Sequence, residues 1–172
     1  MKNFEKILKE GDLRTIGKVK QVIGEVKDQQ GFDKLFKGLY SNDRKVVMRT
    51  ADAIEKITSQ NDLFLINHKK EILQFIIVAK EKEFKWHLAS LISRLSLNKR
   101  ETGYVWEKLS EWVKDTKESR IVRVNALQAL YEILKSNKEL APDYNWIIQE
   151  IETENIPSLQ ARIRILKNRD LK

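Results

Sequence analysis

One pattern of apolar and polar positions recurs along the chain. In NDRKVVMRTADAIEKIT (residues 42–58), Val46, Thr50, Ala53 and Ile57 fall at i, i+4, i+7 and i+11. That spacing lines one face of an α-helix. The stretches EFKWHLASLISRL (83–95), RIVRVNALQALYEI (120–133) and PSLQARIRILKNR (157–169) answer it. Aligned on the stripe, Arg49, His87, Asn125 and Arg162 become equivalent, at separations of 38, 38 and 37 residues. A second helical pattern precedes each of these stretches. A two-helix unit repeated at such a period cannot bury its apolar face alone and must stack on its neighbour.

The first helix of each pair (A) is predicted at Phe32–Tyr40, at 65–80, at 103–116 and from Pro142-Asp143 onward, and the recurring stretch is the second helix (B). Ser41 or Asn42 is expected to cap the first B helix, Ser119 or Arg120 to open the third, and Asn155 to cap the last. The pairs run 31–58, 65–97, 102–135 and 142–170, within a single domain. Residues 1–30 read as a helical cap. Phe4, Ile7 and Leu8 start a short helix that Gly11 ends, Asp12 opens the next, and Gly17 and Gly24 weaken it.

At DRKVVMRTADAIEKI the pattern becomes specific. Asp43 opens the helix, followed by Val46, Arg49, Ala51, Ala53 and Ile54. This resembles the HEAT-repeat family over residues 31–170, with degenerate later copies in which His87 and Asn125 replace the arginine. The resemblance implies an all-α fold, a right-handed α-α superhelix of about four HEAT-like helix pairs behind an N-terminal cap. It also implies that the B helices line a concave surface. It names no partner, because such arrays serve many ends.

Composition narrows the class. Only six Gly and two Pro in 172 residues suit long helices and not a turn-rich β fold. Zero Cys removes disulfides, thiolate metal sites and a cysteine nucleophile, and fits a reducing, cytoplasmic setting. MKNFEKILKEGDLR has no continuous apolar core of the secretory kind. The apolar run near 72–79 is too short for a bilayer. No cofactor and no membrane association are expected.

Net charge is +8, and it is unevenly placed. The B segments (42–58, 81–100, 118–136, 156–172) hold 17 basic and 8 acidic residues, the A segments (31–41, 59–80, 101–117, 137–155) hold 9 and 12. The excess positive charge therefore lies on the helices expected to form the inner face, which favours acidic partners. Equivalent positions there are Asp52, Ser90, Gln128 and Ile165, then Lys56, Arg94, Glu132 and Arg169. This is a mixed polar lane with a positive excess.

The expected contacts are Arg49, Lys85, His87, Arg94, Arg123 and Arg162, holding a protein or peptide of acidic character. Nucleic-acid binding through phosphates is the alternative. For Arg49 and Arg162 a structural role, bonding a neighbouring repeat, competes with contact to a ligand. With two His and no Cys, a metal site has too few donors, and His68 and His87 read as surface or capping residues. Trp86, Trp106, Trp112 and Trp146 read as core fillers, with Trp86 off the polar lane. Some alkylpurine DNA glycosylases are HEAT-like, which makes Asp52 a remote catalytic candidate. No phosphate-cradling Gly loop and no Ser-His-Asp set accompanies it, so a non-catalytic module, monomeric or weakly dimeric, is the reading.

Overall fold

The computed structural model describes residues 4–10 and 17–169, and these are helical with no strand among them. They fall into two compact units that divide at Lys70/Glu71. The expected roles of Gly11 and Asp12 lie outside the described residues.

The first unit contains α1 (Phe4–Lys9), α2 (Gly17–Glu25), α3 (Gln29–Phe36) and α4 (Arg44–Thr58). Asp28 starts α3 by accepting the Gly31 N–H at 2.8 Å. The helix then tightens into a 3-10 turn over Lys37–Tyr40. Asp43, and not the expected Ser41 or Asn42, caps α4 by accepting the Lys45 N–H at 2.9 Å. Capping by a carboxylate satisfies one of the free N–H groups and opposes the helix dipole. A 3-10 stretch, Asp62–His68, follows where a regular helix was expected. Leu8, Val22, Phe32, Leu35, Phe36, Val46, Ile54 and Leu65 are sealed inside this unit.

The second unit is built from α5 (Lys69–Val78, which begins at the boundary), α6 (Lys82–Ile92), α7 (Lys99–Lys114), α8 (Arg120–Ser136), α9 (Ala141–Glu152) and α10 (Pro157–Arg169). Asn98 and Glu101 form a reciprocal capping box on α7. Ser119 caps α8. The expected cap of α10, Asn155, does something else. It takes a left-handed φ of 53°, which asparagine tolerates, and its amide donates to the Thr153 carbonyl. It turns the chain between α9 and α10.

Helices α6, α8 and α10 lie side by side, with α8 packed on both neighbours, while α7 and α9 pack on each other and on α8. The 38-residue register survives as burial. Phe84, Val122 and Leu159 are buried at one level, Leu88, Ala126 and Ile163 at the next, and Leu91, Ala129 and Leu166 at a third. Within the first unit, Val46, Thr50 and Ala53 are buried at the equivalent positions of α4. Repetition of the stripe thus dictates which faces meet.

Candidate interaction surface

Three of the expected contact residues are core residues. Arg49 is 2% exposed, and its Nη1 donates to the carbonyls of Leu8 at 2.6 Å and Glu10 at 2.7 Å. Those oxygens belong to the C-terminal end of α1, where carbonyls lack partners inside the helix. A cation there also complements the dipole. Arg123 is 1% exposed. Its Nε donates to the Val113 carbonyl at 2.7 Å, and its two terminal nitrogens grip Glu154 at 2.7 and 2.6 Å. This two-pronged geometry is what the planar guanidinium is suited to. One side chain thereby joins α8 to the end of α7 and to the turn ahead of α10. His87 is also buried, with its ring against that of Trp86. The expectation that these three side chains meet a ligand is therefore revised: their functional groups are turned inward and shielded.

Lys85 stands between the two kinds of residue. It pairs with Glu118 just ahead of α8 and lies 5.5 Å from the centre of the Trp112 ring. Lys85 and Arg123 are 38 positions apart, and each reaches forward to a glutamate at the start of the next B helix. The inter-repeat ladder of this unit thus runs two positions ahead of the column that contains His87, Asn125 and Arg162.

Arg94 and Arg162 are the two expected contacts that remain on the surface. A groove of about 310 Å³ opens between α6 and α8, lined by Ser90, Ser93, Arg94, Asn125, Gln128, Ala129 and Glu132. Its far wall continues onto α10. Arg162 Nη1 donates to Gln128 Oε1 at 2.6 Å, and Gln128 Nε2 donates to Glu132 Oε1 at 2.7 Å. Arg169 reaches the same glutamate at 3.5 Å, and Lys135 pairs with it as well. A single carboxylate therefore gathers several cationic or donor side chains along the groove. Burial, and then the nearby Arg169, pull Arg162 below the ordinary arginine value.

Trp86 is not among the residues that line this groove. It is half-buried one turn ahead of Ser90, whose hydroxyl donates to the Trp86 carbonyl at 3.3 Å. Arg94 lies two residues past the end of α6. Of the other tryptophans, Trp106 and Trp112 fill the core as expected, and the Trp106 Nε1–H donates to Asp143 at 2.5 Å. Trp146 is 67% exposed, contrary to the expectation that it fills the core, because it sits opposite the Tyr144, Ile148 and Ile151 face of α9.

The remaining candidates have local explanations. Asp52 pairs with Lys56 at 2.6 Å, one turn along α4. His68 is buried and not a surface residue. Its ring stacks on Phe36 with centroids 3.8 Å apart, and its Nε2 lies 2.8 Å from Asp33 Oδ1. Because a carboxylate only accepts, that nitrogen carries the hydrogen. The bond from Gln29 holds the Asp33 carboxyl below its ordinary value; burial opposes it, and the bond from His68 adds to the lowering. Among the described residues, no group of three or more His, Asp or Glu side chains is placed to hold a metal ion. None of their helices is long and apolar enough to cross a membrane.

Paired helices stacked in a fixed register, cross-linked by buried arginines and carrying a polar groove on their B side, define a helical-repeat protein. The HEAT repeat domain family matches residues 5–169, nearly the whole sequence, and the chain belongs to that family. Searches of curated proteins and of solved structures each gave no significant match. HEAT repeats generally mediate protein–protein interaction or scaffolding.

Proposed function

We propose that this protein is a non-catalytic interaction module that holds an acidic segment of another protein on the B-helix face of residues 71–172. One observation carries the reading: the groove between α6 and α8 is flanked by Arg94 on one side and by Arg162 and Arg169 on the other. The arginines are spread over separate helices, so they suit an elongated anionic ligand better than a single small anion. Arg123 supports the surface from beneath through Val113 and Glu154, and Lys85 braces it through Glu118.

The test is binding of fluorescently labelled poly-glutamate at about 50 and 200 mM salt, a range over which contacts between exposed charges weaken measurably. The wild-type chain is expected to bind at low salt. An Arg94→Glu/Arg162→Glu variant is expected to lose binding while melting at nearly the wild-type temperature. Labelled duplex DNA and RNA run in parallel. Duplex binding with a steep salt slope, in the absence of poly-glutamate binding, would favour phosphate recognition by the same lane and displace the proposal.

A further inference from the structure

A second cavity opens at one edge of the second unit and shares no lining residue with the groove. It measures about 230 Å³. It lies where the last turn of α8, the 3-10 turn Lys138–Leu140, the start of α9 and the second half of α10 meet. Tyr144, Ile148, Ile163 and Leu166 form its walls and are all buried, with Leu134 and Ala141 half-buried beside them. The polar lining residues, Lys138, Asn145 and Lys167, are exposed, which places them at the mouth.

This lining selects its ligand by chemistry. A bare inorganic anion would lose hydration against the apolar walls without gaining hydrogen bonds there. A cation would meet the ammonium groups of Lys138 and Lys167, and none of the lining residues is acidic. A wholly apolar molecule would leave both charges unused. Lys167 pairs with Glu152 at 2.7 Å, but both side chains are substantially exposed, and such a pair holds weakly enough for Lys167 to turn to an incoming anion. At about 30 Å³ for each water-sized group the cavity holds roughly eight of them, fewer than a drug-sized ligand needs.

We propose that this cavity binds a small monocarboxylate with an aliphatic body, about six to eight carbons in all. The body packs against Tyr144, Ile148, Ile163 and Leu166, and the carboxylate faces Lys138 and Lys167. A ligand so placed touches α8, α9 and α10 together, so its binding stabilises the folded second unit by mass action. The site is independent of the acidic-partner reading.

The experiment is calorimetric titration of the full chain with octanoate at about 50 mM salt, where exposed charges are weakly screened. Octanamide has the same body without the charge, and acetate has the charge without the body. Octanoate is expected to bind about tenfold or more tightly than either, since each supplies only half of the recognition. Lys138→Glu is expected to weaken octanoate severalfold and leave octanamide unchanged. Ala141→Leu, which grows a side chain into the cavity, is expected to abolish octanoate binding. Octanoate should raise the melting temperature of the wild-type chain and leave that of Ala141→Leu unmoved. Lys138→Glu, at an exposed position, carries the test if Ala141→Leu does not fold. Octanamide binding as tightly as octanoate, or octanoate binding indifferent to the substitutions, would overturn the proposal. So would a folded wild-type chain that does not bind octanoate. None of these outcomes bears on the acidic-partner reading, which poly-glutamate binding tests separately.

Discussion

At the scale of single residues, tight packing makes some side chains indispensable. Gly38 sits in the 3-10 turn after α3, where an added Cβ would come within 2.4 Å of Thr50 Oγ1 and 3.2 Å of its Cγ2. Thr50 is fully buried and too short to swing clear. Gly38→Ala should therefore destabilise the protein by about 1–3 kcal/mol, as overpacking does. Thermal or urea denaturation would check it, with Gly38→Ala/Thr50→Ala recovering part of the loss. Asp33 makes a pH-dependent contribution. Its folded carboxyl titrates below the ordinary 3.8, so its stabilisation is complete above that value and is lost as pH falls through the folded one. Asp33→Asn should flatten the acid limb of the stability curve below about pH 4, an effect of under about 1 kcal/mol for so exposed a group. Urea midpoints measured across pH 2.5–6 would show it. A wild-type limb no steeper than the variant's would contradict the assignment.

At the scale of elements, a few long-range polar contacts decide how helices dock. Arg123 joins α8, on which it sits, to the Val113 carbonyl of α7 and to Glu154 in the turn between α9 and α10. Arg123→Ala should cost about 3–5 kcal/mol, because it strands a carbonyl and a carboxylate and leaves a cavity. Glu154→Gln should also destabilise, by leaving the buried guanidinium without its counter-charge. Arg123→Met, which keeps volume and brings no charge, should be the milder arginine replacement. Chemical denaturation of the three variants would establish the order. At this scale the sequence was most informative about the apolar levels: Val46, Phe84, Val122 and Leu159 were readable because burial repeats with the helical period. The irregular pieces were less so. The 3-10 stretch at Asp62–His68 and the left-handed Asn155 depend on how neighbouring chain must turn, which no single-helix periodicity encodes.

At the scale of the whole molecule, charge and fold serve different ends. The +8 excess is concentrated on B segments, yet part of it is structural. Arg49 and Arg123 hold helices together, while Arg94 and Arg162 border the groove. Substitutions at the first pair should therefore register as lost stability. Charge reversal at the second should register as lost binding at nearly constant melting temperature. Parallel melting curves and poly-glutamate titrations separate the two classes. A melting temperature lowered as much by Arg94→Glu/Arg162→Glu as by Arg123→Ala would show that the groove arginines are structural too.

The sequence by itself determined the all-helical class, the pairing of helices at a 38-residue spacing, the faces they bury and the helices that carry the positive excess. All of these follow from local periodicity and composition, and each is repeated often enough along the chain to be read without coordinates. Which arginine is a lock and which stays at the surface was decided only by the tertiary structure. A guanidinium on the polar edge of a helix points to solvent or into a neighbour according to what lies across from it. For Arg123 that is a carbonyl and a glutamate 31 residues further on, and for Arg49 it is the frayed carbonyl end of α1. Side-chain partners across elements are set by three-dimensional packing, and no one-dimensional pattern carries that information.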